Sequence, residues 1–320
     1  MVFEMSSDND SFDTPWKEII EFFFPQFMAF FVPGSEKDID WEKGIRFLDT
    51  EFQQISKDSK AGRRHTDKLV EVTLKGGFKK WILIHVEVQA QKEDVFAERM
   101  FVYNYRIYER FKIPVTSIAV LADDQPNWRP EGFRYGMWGC RMELDYLKIK
   151  LLDYKDKWSY LENSDNPFAI VVMAHLKALE SRKDNSLRQQ WKIELTKFLY
   201  QKGYSKDEIL KLYKFIDWVL SLPKDLEKDF LEEIKAYERE KKMPYITSAE
   251  RIGWEEGEKV GREEGSYSTL LQLIKNLRKN EFSDEAIAKV TNLDVMSVKK
   301  ILNNEYVDLP LHLFEDKHED

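Results

Sequence analysis

The feature that most constrains the fold is an alternation of apolar and polar residues on either side of a glycine pair. Residues 68–75 alternate in polarity and are rich in β-branched side chains, two glycines follow, and residues 81–88 form a second apolar run. This arrangement predicts a β-hairpin. Because side chains of a strand alternate between two faces, the second strand places His85, Glu87 and Gln89 on one face. The sequence therefore predicts a sheet with three polar side chains directed to the same side.

Asp67 stands at the open end of the partner strand, across the hairpin from this polar cluster. A simple two-residue turn at the glycine pair would pair Asp67 with Val86 and direct its side chain away from Glu87. A site shared by the two carboxylates therefore requires an odd-numbered loop or a bulge. Two carboxylates that converge on a rigid sheet suit Mg²⁺, which takes oxygen ligands. Such an ion polarises a phosphoryl oxygen and activates water, so phosphodiester hydrolysis is the natural reaction.

A second interpretation of the same residues stays open. Glu, Gln and His on one side of a strand are also common on the solvated face of a half-covered sheet. Spacing alone favours that interpretation at least as strongly, because Asp and Glu at a similar separation are frequent by chance. Gln89 carries no charge, so its predicted role is to orient the attacking water or to donate to a phosphate oxygen.

Helices and a further strand are expected around the hairpin. A capping motif at residues 13–15 predicts the start of a helix that breaks or kinks at Pro25. A helix at 94–112 followed by an apolar run at 113–122 gives the order strand, helix, strand, which is typical of a mixed sheet backed by helices. Alternation continues weakly through residues 133–152. We therefore expect an α/β core.

The remainder of the chain predicts helices. From residue 166 onward the pattern is one of long amphipathic helices, with a capping box at 205–208. Beyond them glycines recur at every fourth position: Gly253, Gly257, Gly261 and Gly265. Each costs a helix about 1 kcal/mol relative to alanine. A close contact between helices would explain the repeat and would imply self-association as a homo-oligomer, and a frayed linker is the alternative.

The predicted organisation has four parts. They are an α/β core at 14–155, a helical region at 156–245, a glycine-repeat helix with a terminal two-helix unit at 246–305, and an acidic tail at 306–320. The two-helix unit is either structural or similar to a helix-turn-helix.

Composition excludes several classes of protein. The chain has 320 residues, of which 42% are hydrophobic and 34% charged, which is typical of a soluble globular protein. The single cysteine, Cys140, excludes an internal disulfide and a thiolate zinc site and suits a reducing compartment. The longest apolar stretch, residues 22–32, falls short of the roughly 20 residues that span a bilayer. Residues 1–13 contain no Lys or Arg, unlike a secretory signal. We therefore expect a cytoplasmic protein with no membrane partner.

Charge is distributed unevenly. The net charge of −8 argues against a generally basic surface that coats nucleic acid. Residues 57–80 reverse this balance, because they contain eight basic and three acidic side chains. Arg63, Arg64 and Lys68 lie in this segment beside Asp67, and we predict that they contact DNA phosphates. A solvated basic loop is the alternative.

Several segments match a known family in order and spacing. They are Trp-Lys-Glu-Ile-Ile at 16–20, Phe-Leu-Asp-Thr-Glu at 47–51, Arg-His-Thr-Asp-Lys-Leu-Val at 64–70, Ile-His-Val-Glu-Val-Gln at 84–89, and shorter matches at 98–103, 114–115 and 245–247. Together they resemble the bacterial Rpn family of recombination-promoting nucleases or putative transposases, within the PD-(D/E)XK nuclease superfamily. Thr66 stands where the superfamily has proline, and Gln89 where it has lysine, although Glu-x-Gln is the usual version in this family.

The resemblance implies a PD-(D/E)XK-like fold and a metal-dependent DNA endonuclease linked to recombination or mobile elements. In this interpretation Asp67 and Glu87 are catalytic and hold Mg²⁺ or Mn²⁺, and Gln89 takes the place of the lysine. The first-helix acid that supports them is Glu18, with Glu21 and Glu51 as rivals. A nuclease-fold module that binds DNA or protein without cleaving DNA is the alternative.

Two further patterns receive ordinary structural interpretations. The helix at 94–112 carries Tyr103, Tyr105 and Tyr108 among basic residues, and we interpret the tyrosines as core residues rather than as base-stacking platforms. Asp123 and Asp124 follow an apolar strand and predict a turn.

Overall fold

The structure is a computed structural model. It describes residues 10–56, 66–75, 81–246, 274, 277–279, 282–291 and 293–302, without the side chains of 10–14, 53–56, 66, 67 and 81. The chain divides into two compact units, Met1–Ile246 and Thr247–Asp320.

A five-stranded mixed sheet forms the centre of the first unit. The described strands are β1 (Ile45–Phe47), β2 (Thr66–Thr73), β3 (Trp81–Gln89), β4 (Val115–Leu121), β5 (Phe133–Met137), β6 (Cys140–Leu144) and β7 (Leu147–Lys150). The sheet order is β1-β2-β3-β4-β7, and β5 and β6 form a separate antiparallel hairpin. The first three strands are antiparallel neighbours, whereas β4 and β7 run parallel to β3. The predicted mixed α/β architecture is confirmed at this level.

Helices precede, interrupt and follow the sheet. They are α1 (Asp10–Phe22), α2 (Phe24–Phe31), α3 (Ser35–Asp38), α4 (Asp49–Ser56), α5 (Phe96–Phe111), α6 (Trp158–Asn163), α7 (Pro167–Glu180), α8 (Asn185–Gln201), α9 (Lys206–Val219) and α10 (Lys224–Lys241). Short 3-10 helices occupy Trp41–Lys43 and Leu151–Lys157. The break predicted at Pro25 is confirmed, because α1 ends at Phe22 and a new helix starts at Phe24 with Pro25 in its first turn. The capping box before α9 is also confirmed.

The two faces of the sheet are covered differently. One face carries Val70, Val86 and Val120, which pack in a large apolar cluster with α1, α2 and α7. Every residue of α7 from Pro167 to Leu176 is buried, as expected for a helix without a polar stripe. The opposite face carries two smaller clusters beneath α4 and α5. The polar side chains of β3 therefore lie under α4 and α5.

Residues 14–155 and 156–245, which the sequence predicts as separate regions, belong to one compact unit. The reason is that α7 packs in the same apolar cluster as the sheet. None of the helices in the described part of the chain is long and apolar enough to cross a membrane.

The second unit contains the predicted pair of short helices, α11 (Asp284–Thr291) and α12 (Val295–Leu302). Their shared core consists of the buried residues Ile274, Ile287, Ala288, Val298 and Ile301. The glycine repeat and the acidic tail lie outside the described residues.

Tyrosines on α5 divide between two environments. Tyr103 is buried against the sheet, as predicted, whereas Tyr105 and Tyr108 are about half exposed, so the prediction of a core position is wrong for these two. Helical period explains the division, since the buried residues Phe96, Met100 and Ile107 share the face of Tyr103.

Candidate active site

The register of the central hairpin decides whether the two predicted acids share a face. Asp67 is paired directly opposite Glu87, and the last pair of the ladder is Thr73 with Trp81. The connection, residues 74–80, is therefore odd in length, which is the condition that a shared site requires. Opposed residues of an antiparallel pair lie on the same face. The side chain of Asp67 itself is outside the described residues, and so is the loop at 76–80.

Glu87 is fully buried and is bound by Arg99 of α5. The Nε of Arg99 donates to Glu87 Oε1 at 2.9 Å, and the Nη2 group donates to the same oxygen. Nη2 also donates to Gln89 Oε1 at 2.8 Å, and Nη1 pairs with Glu93. One guanidinium thus compensates two buried or half-buried carboxylates and satisfies the amide oxygen of Gln89.

Gln89 is held at both ends of its side-chain amide. Its oxygen accepts from Arg99, and its Nε2 donates to the main-chain oxygen of Gln91 at 2.7 Å. The predicted role of orienting water or phosphate is therefore not supported by the arrangement, because both polar atoms bind protein groups. Gln89 instead fixes the position of the guanidinium.

His85 lies two residues before Glu87, so its side chain is on the same face of β3, and it is fully buried. Its Nε2 is 3.8 Å from Glu87 Oε2, and its ring packs against Phe52 and Tyr103 at centroid distances of 5.2 and 5.7 Å. Burial, followed by the positive charge of Arg99, lowers the pKa of His85 to about 3. The imidazole is therefore neutral near pH 7.

Ionisation of the neighbouring groups follows from the same packing. Burial acts to lower the pKa of Arg99, but the charges and hydrogen bonds of Glu87 and Glu93 outweigh it and raise that pKa above its usual value. Burial and the charge of Glu87 raise the pKa of Tyr146. One permanently charged guanidinium therefore lies between the carboxyl groups of Glu87 and Glu93.

The structure does not bring Glu18 into this site, and the prediction of a supporting acid there is wrong. Glu18 pairs with Lys214 of α9, with oxygens 2.7 and 2.9 Å from the Nζ atom. The reason is that α1 packs on the valine face of the sheet, opposite the face of Glu87. Of the two rivals, Glu21 also belongs to α1, whereas Glu51 belongs to α4, which covers the face of Glu87.

Lys68 does not offer a free ammonium to DNA, contrary to the prediction. It follows Asp67 on the strand, so its side chain faces α1, where it is buried between Glu21 at 2.7 Å and Asp49. The ammonium also lies over the ring of Phe47. The other two predicted phosphate contacts, Arg63 and Arg64, lie outside the described residues.

Arg99 and a buried ion pair at the neighbouring strand ends are features that the sequence patterns did not predict. Asp123, interpreted as a turn residue, follows β4 and binds Lys150 at the end of β7 with both oxygens, at 2.7 and 2.6 Å. Both residues are buried. A signal for Arg99 was present, because the residue falls beside Phe96 and Met100 on the apolar face of α5.

The donor chemistry of the site fits a hard divalent cation in part. Position 67 and Glu87 supply carboxylate oxygens, the ligands that Mg²⁺ prefers. Oε1 of Glu87 is bound by Arg99, and Oε2 is the oxygen that faces His85. Among the described side chains, which do not include that of Asp67, no group of three His, Cys, Asp or Glu residues could hold a metal ion.

Comparison with known proteins adds no relative. No family model, no curated protein and no solved structure matches this chain. The structure shows a mixed α/β fold with a five-stranded sheet. A functional hypothesis therefore depends on the strand order and on the pairing of Asp67 with Glu87.

Proposed function

We propose that the chain is a metal-dependent DNA endonuclease with a PD-(D/E)XK-like core. The observation that carries this proposal is the direct pairing of Asp67 with Glu87 on a sheet whose next strand returns parallel after a helix. Opposed positions on one face have Cβ atoms about 4.5–5.5 Å apart, which is close enough for two carboxylates to share one cation. The resemblance of segments to the Rpn family supports the same assignment and is the only basis for a role in recombination or DNA mobility.

In this proposal Asp67 and Glu87 hold Mg²⁺ or Mn²⁺. The cation would polarise a phosphoryl oxygen and activate water when bound. Arg99 fixes the Glu87 carboxylate through two hydrogen bonds to one oxygen, and Gln89 fixes Arg99. His85 is neutral and therefore adds no competing positive charge beside the acids.

Arg99 also favours a second candidate, a nuclease-fold module that binds DNA or protein without cleaving DNA. Its guanidinium already compensates the charge of Glu87, which is the task that a metal performs in an enzyme. A buried acid held in this way is a satisfied ion pair. The two candidates differ in whether the opposed acids bind a divalent cation.

Plasmid nicking tests the proposal. Wild-type protein should nick supercoiled DNA with Mg²⁺ or Mn²⁺ and not with EDTA, and Asp67→Asn should reduce the rate by about 100-fold or more. Glu87→Gln should do the same, but it leaves Arg99 buried beside a neutral partner, so its folding must be checked by circular dichroism. Glu232→Gln, an exposed acid on α10, is the matched control.

Three outcomes are informative. Loss in both site variants with an active control supports the endonuclease. Equal nicking by all variants contradicts it. Absence of nicking by folded wild-type protein with either metal favours the binding module.

A further inference from the structure

His85 is a fully buried histidine whose ring makes no hydrogen bond. It lies on β3 between the rings of Phe52 on α4 and Tyr103 on α5, and within the described part of the chain neither of its ring nitrogens has a hydrogen-bond partner. A neutral imidazole carries one N–H donor and one acceptor nitrogen, and a buried polar group left unsatisfied destabilises a fold. Such groups are uncommon in native proteins, so a histidine at this position needs a further explanation.

The second buried histidine among the described residues shows the ordinary arrangement. The Nε2 of His175 binds the main-chain oxygen of Ala122 at 2.8 Å. His85, in contrast, is paired with Ser117 in the parallel ladder of β3 and β4, yet the Ser117 hydroxyl accepts from Asn104 at 3.1 Å instead. Hydrogen bonding therefore accounts for a histidine at position 175 and does not account for one at position 85.

The His85 ring lies beside the second oxygen of Glu87. Arg99 binds Oε1 of this carboxylate, whereas Oε2 is 3.8 Å from His85 Nε2. That separation is too long for a hydrogen bond. It does suit two ligands of one ion, because atoms about 2.1 Å from a metal lie about 3.0–4.2 Å apart for angles between them of about 90–180°. The two atoms are therefore spaced as metal ligands are.

Strand register adds a third group to this pair. Asp67 is paired directly opposite Glu87, and His85 is paired with Leu69, the next residue of β2 on the same face as position 67. Opposed Cβ atoms are about 4.5–5.5 Å apart, and diagonal ones are up to about 7–8 Å apart, within reach of long side chains. Two carboxylates and one imidazole can thus converge on a single ion.

An imidazole ligand changes which ion such a site prefers. Carboxylates and water suit Mg²⁺, whereas imidazole nitrogen suits first-row transition metals. Mg²⁺ also gives up its waters reluctantly, and an ion that contacts a fully buried ring has to lose water on that side. Both effects favour a transition-metal ion over Mg²⁺.

We propose that His85 is a third ligand of the cation shared by Asp67 and Glu87, and that its nitrogen makes the site selective for Mn²⁺ over Mg²⁺. This inference rests on the proposed function, because it requires the cation site of the endonuclease. It adds the identity of a ligand and of the preferred ion.

The test compares Mn²⁺ and Mg²⁺ binding to the full chain by isothermal titration calorimetry, without DNA. The variants are His85→Leu, Asp67→Asn and the control His175→Gln, which alters the other buried histidine, on α7 at the opposite face of the sheet. Leucine is similar in volume to histidine and removes both nitrogens, so packing against Phe52 and Tyr103 is retained. Circular dichroism checks that each variant is folded. Pulsed electron paramagnetic resonance of one equivalent of bound Mn²⁺ detects a ligating nitrogen in the wild type, so this measurement needs no variant.

We expect the wild type and His175→Gln to bind Mn²⁺ about tenfold or more tightly than Mg²⁺ and to show nitrogen coupling to bound Mn²⁺. His85→Leu should lose the coupling and bind Mn²⁺ about tenfold or more weakly, because even a residue behind a ligand contributes a factor of about 10–100. Its Mg²⁺ affinity should change by less than about threefold.

Unchanged Mn²⁺ affinity in folded His85→Leu overturns the proposal. Wild-type protein whose bound Mn²⁺ shows no nitrogen coupling, or that binds both ions equally well, overturns it too. Loss of Mn²⁺ binding in Asp67→Asn but not in His85→Leu removes only the role of His85 and leaves the endonuclease site intact. Mn²⁺ binding that depends on neither residue contradicts both.

Discussion

Arg99 is the residue on which the polar contacts of the candidate site converge. It joins Glu87, Gln89 and Glu93 to the helix that covers the sheet. In a buried setting the same pairing has two effects. It fixes the orientation of the Glu87 carboxylate, which the proposed cation site requires, and it makes the acid and the guanidinium depend on each other for stability.

Removing Arg99 should therefore destabilise the fold. Arg99→Ala leaves Glu87 buried without its compensating charge, and we expect the free energy of unfolding in urea to fall by about 3–5 kcal/mol. Arg99→Lys should rescue little, because an ammonium does not reproduce the forked contact with Glu87 and Gln89. The double variant Arg99→Met/Glu87→Leu should recover much of the loss. An Arg99→Ala protein as stable as the wild type would refute this role.

His175 of α7 gives the fold a pH dependence that is separate from the site. Its Nε2 donates to the main-chain oxygen of Ala122 at 2.8 Å, and burial lowers its pKa to about 4 despite that hydrogen bond. The folded pKa lies below the ordinary value of 6.5, so the unfolded chain takes up the proton first as the pH falls. Stability from neutral His175 is present above pH 6.5 and is lost between pH 6.5 and 4.

As the pH falls from 7.5 to 5.5, we expect the titration of His175 to lower the free energy of unfolding by about 1 kcal/mol. His175→Gln keeps a donor for Ala122 and removes the titration, so it should be less sensitive to pH by this amount. Other titrating groups contribute equally to both proteins. Urea unfolding at the two pH values measures the difference, and parallel pH profiles would contradict the account.

Elements around the sheet are joined by buried charges as well as by apolar packing. Lys68 of β2 connects α1 through Glu21 and the start of α4 through Asp49. Lys150 connects the end of β7 to Asp123 after β4. These pairs hold the ends of strands and helices in place. A lysine in a basic segment of sequence therefore serves the fold, because strand alternation directs it inward.

The variant Lys68→Met distinguishes a structural role of this lysine from a role in binding DNA. We expect the free energy of unfolding to fall by about 1.5–3 kcal/mol, the range for hydrogen bonds to charged groups. Duplex DNA affinity, measured by anisotropy in EDTA at a temperature where the variant is folded, should stay at the wild-type value. Lys75→Met is the control, because Lys75 is exposed at the other end of β2. Weaker DNA binding with unchanged stability would show that Lys68 contacts phosphate after all.

At the scale of the whole molecule, sequence periodicity predicts helices and strands better than it predicts the contacts between side chains. The hairpin strands, α5 and β4 follow from alternation, helical spacing and apolar runs. The pairing of Asp67 with Glu87 did not follow, since register depends on loop length, which the glycine pair alone does not determine. Local spacing also could not place Glu18, because the face on which α1 packs is set by residues far along the chain in α7 and α9.

The central claim is that Asp67 and Glu87 share one divalent cation. Isothermal titration calorimetry of Mn²⁺ into the full chain tests it directly, without DNA or cleavage. We predict one site of highest affinity in the wild type and in Glu232→Gln, and an affinity lower by about tenfold or more in Asp67→Asn. Equal Mn²⁺ affinity in wild type and Asp67→Asn, or no binding by folded wild-type protein, would contradict the account.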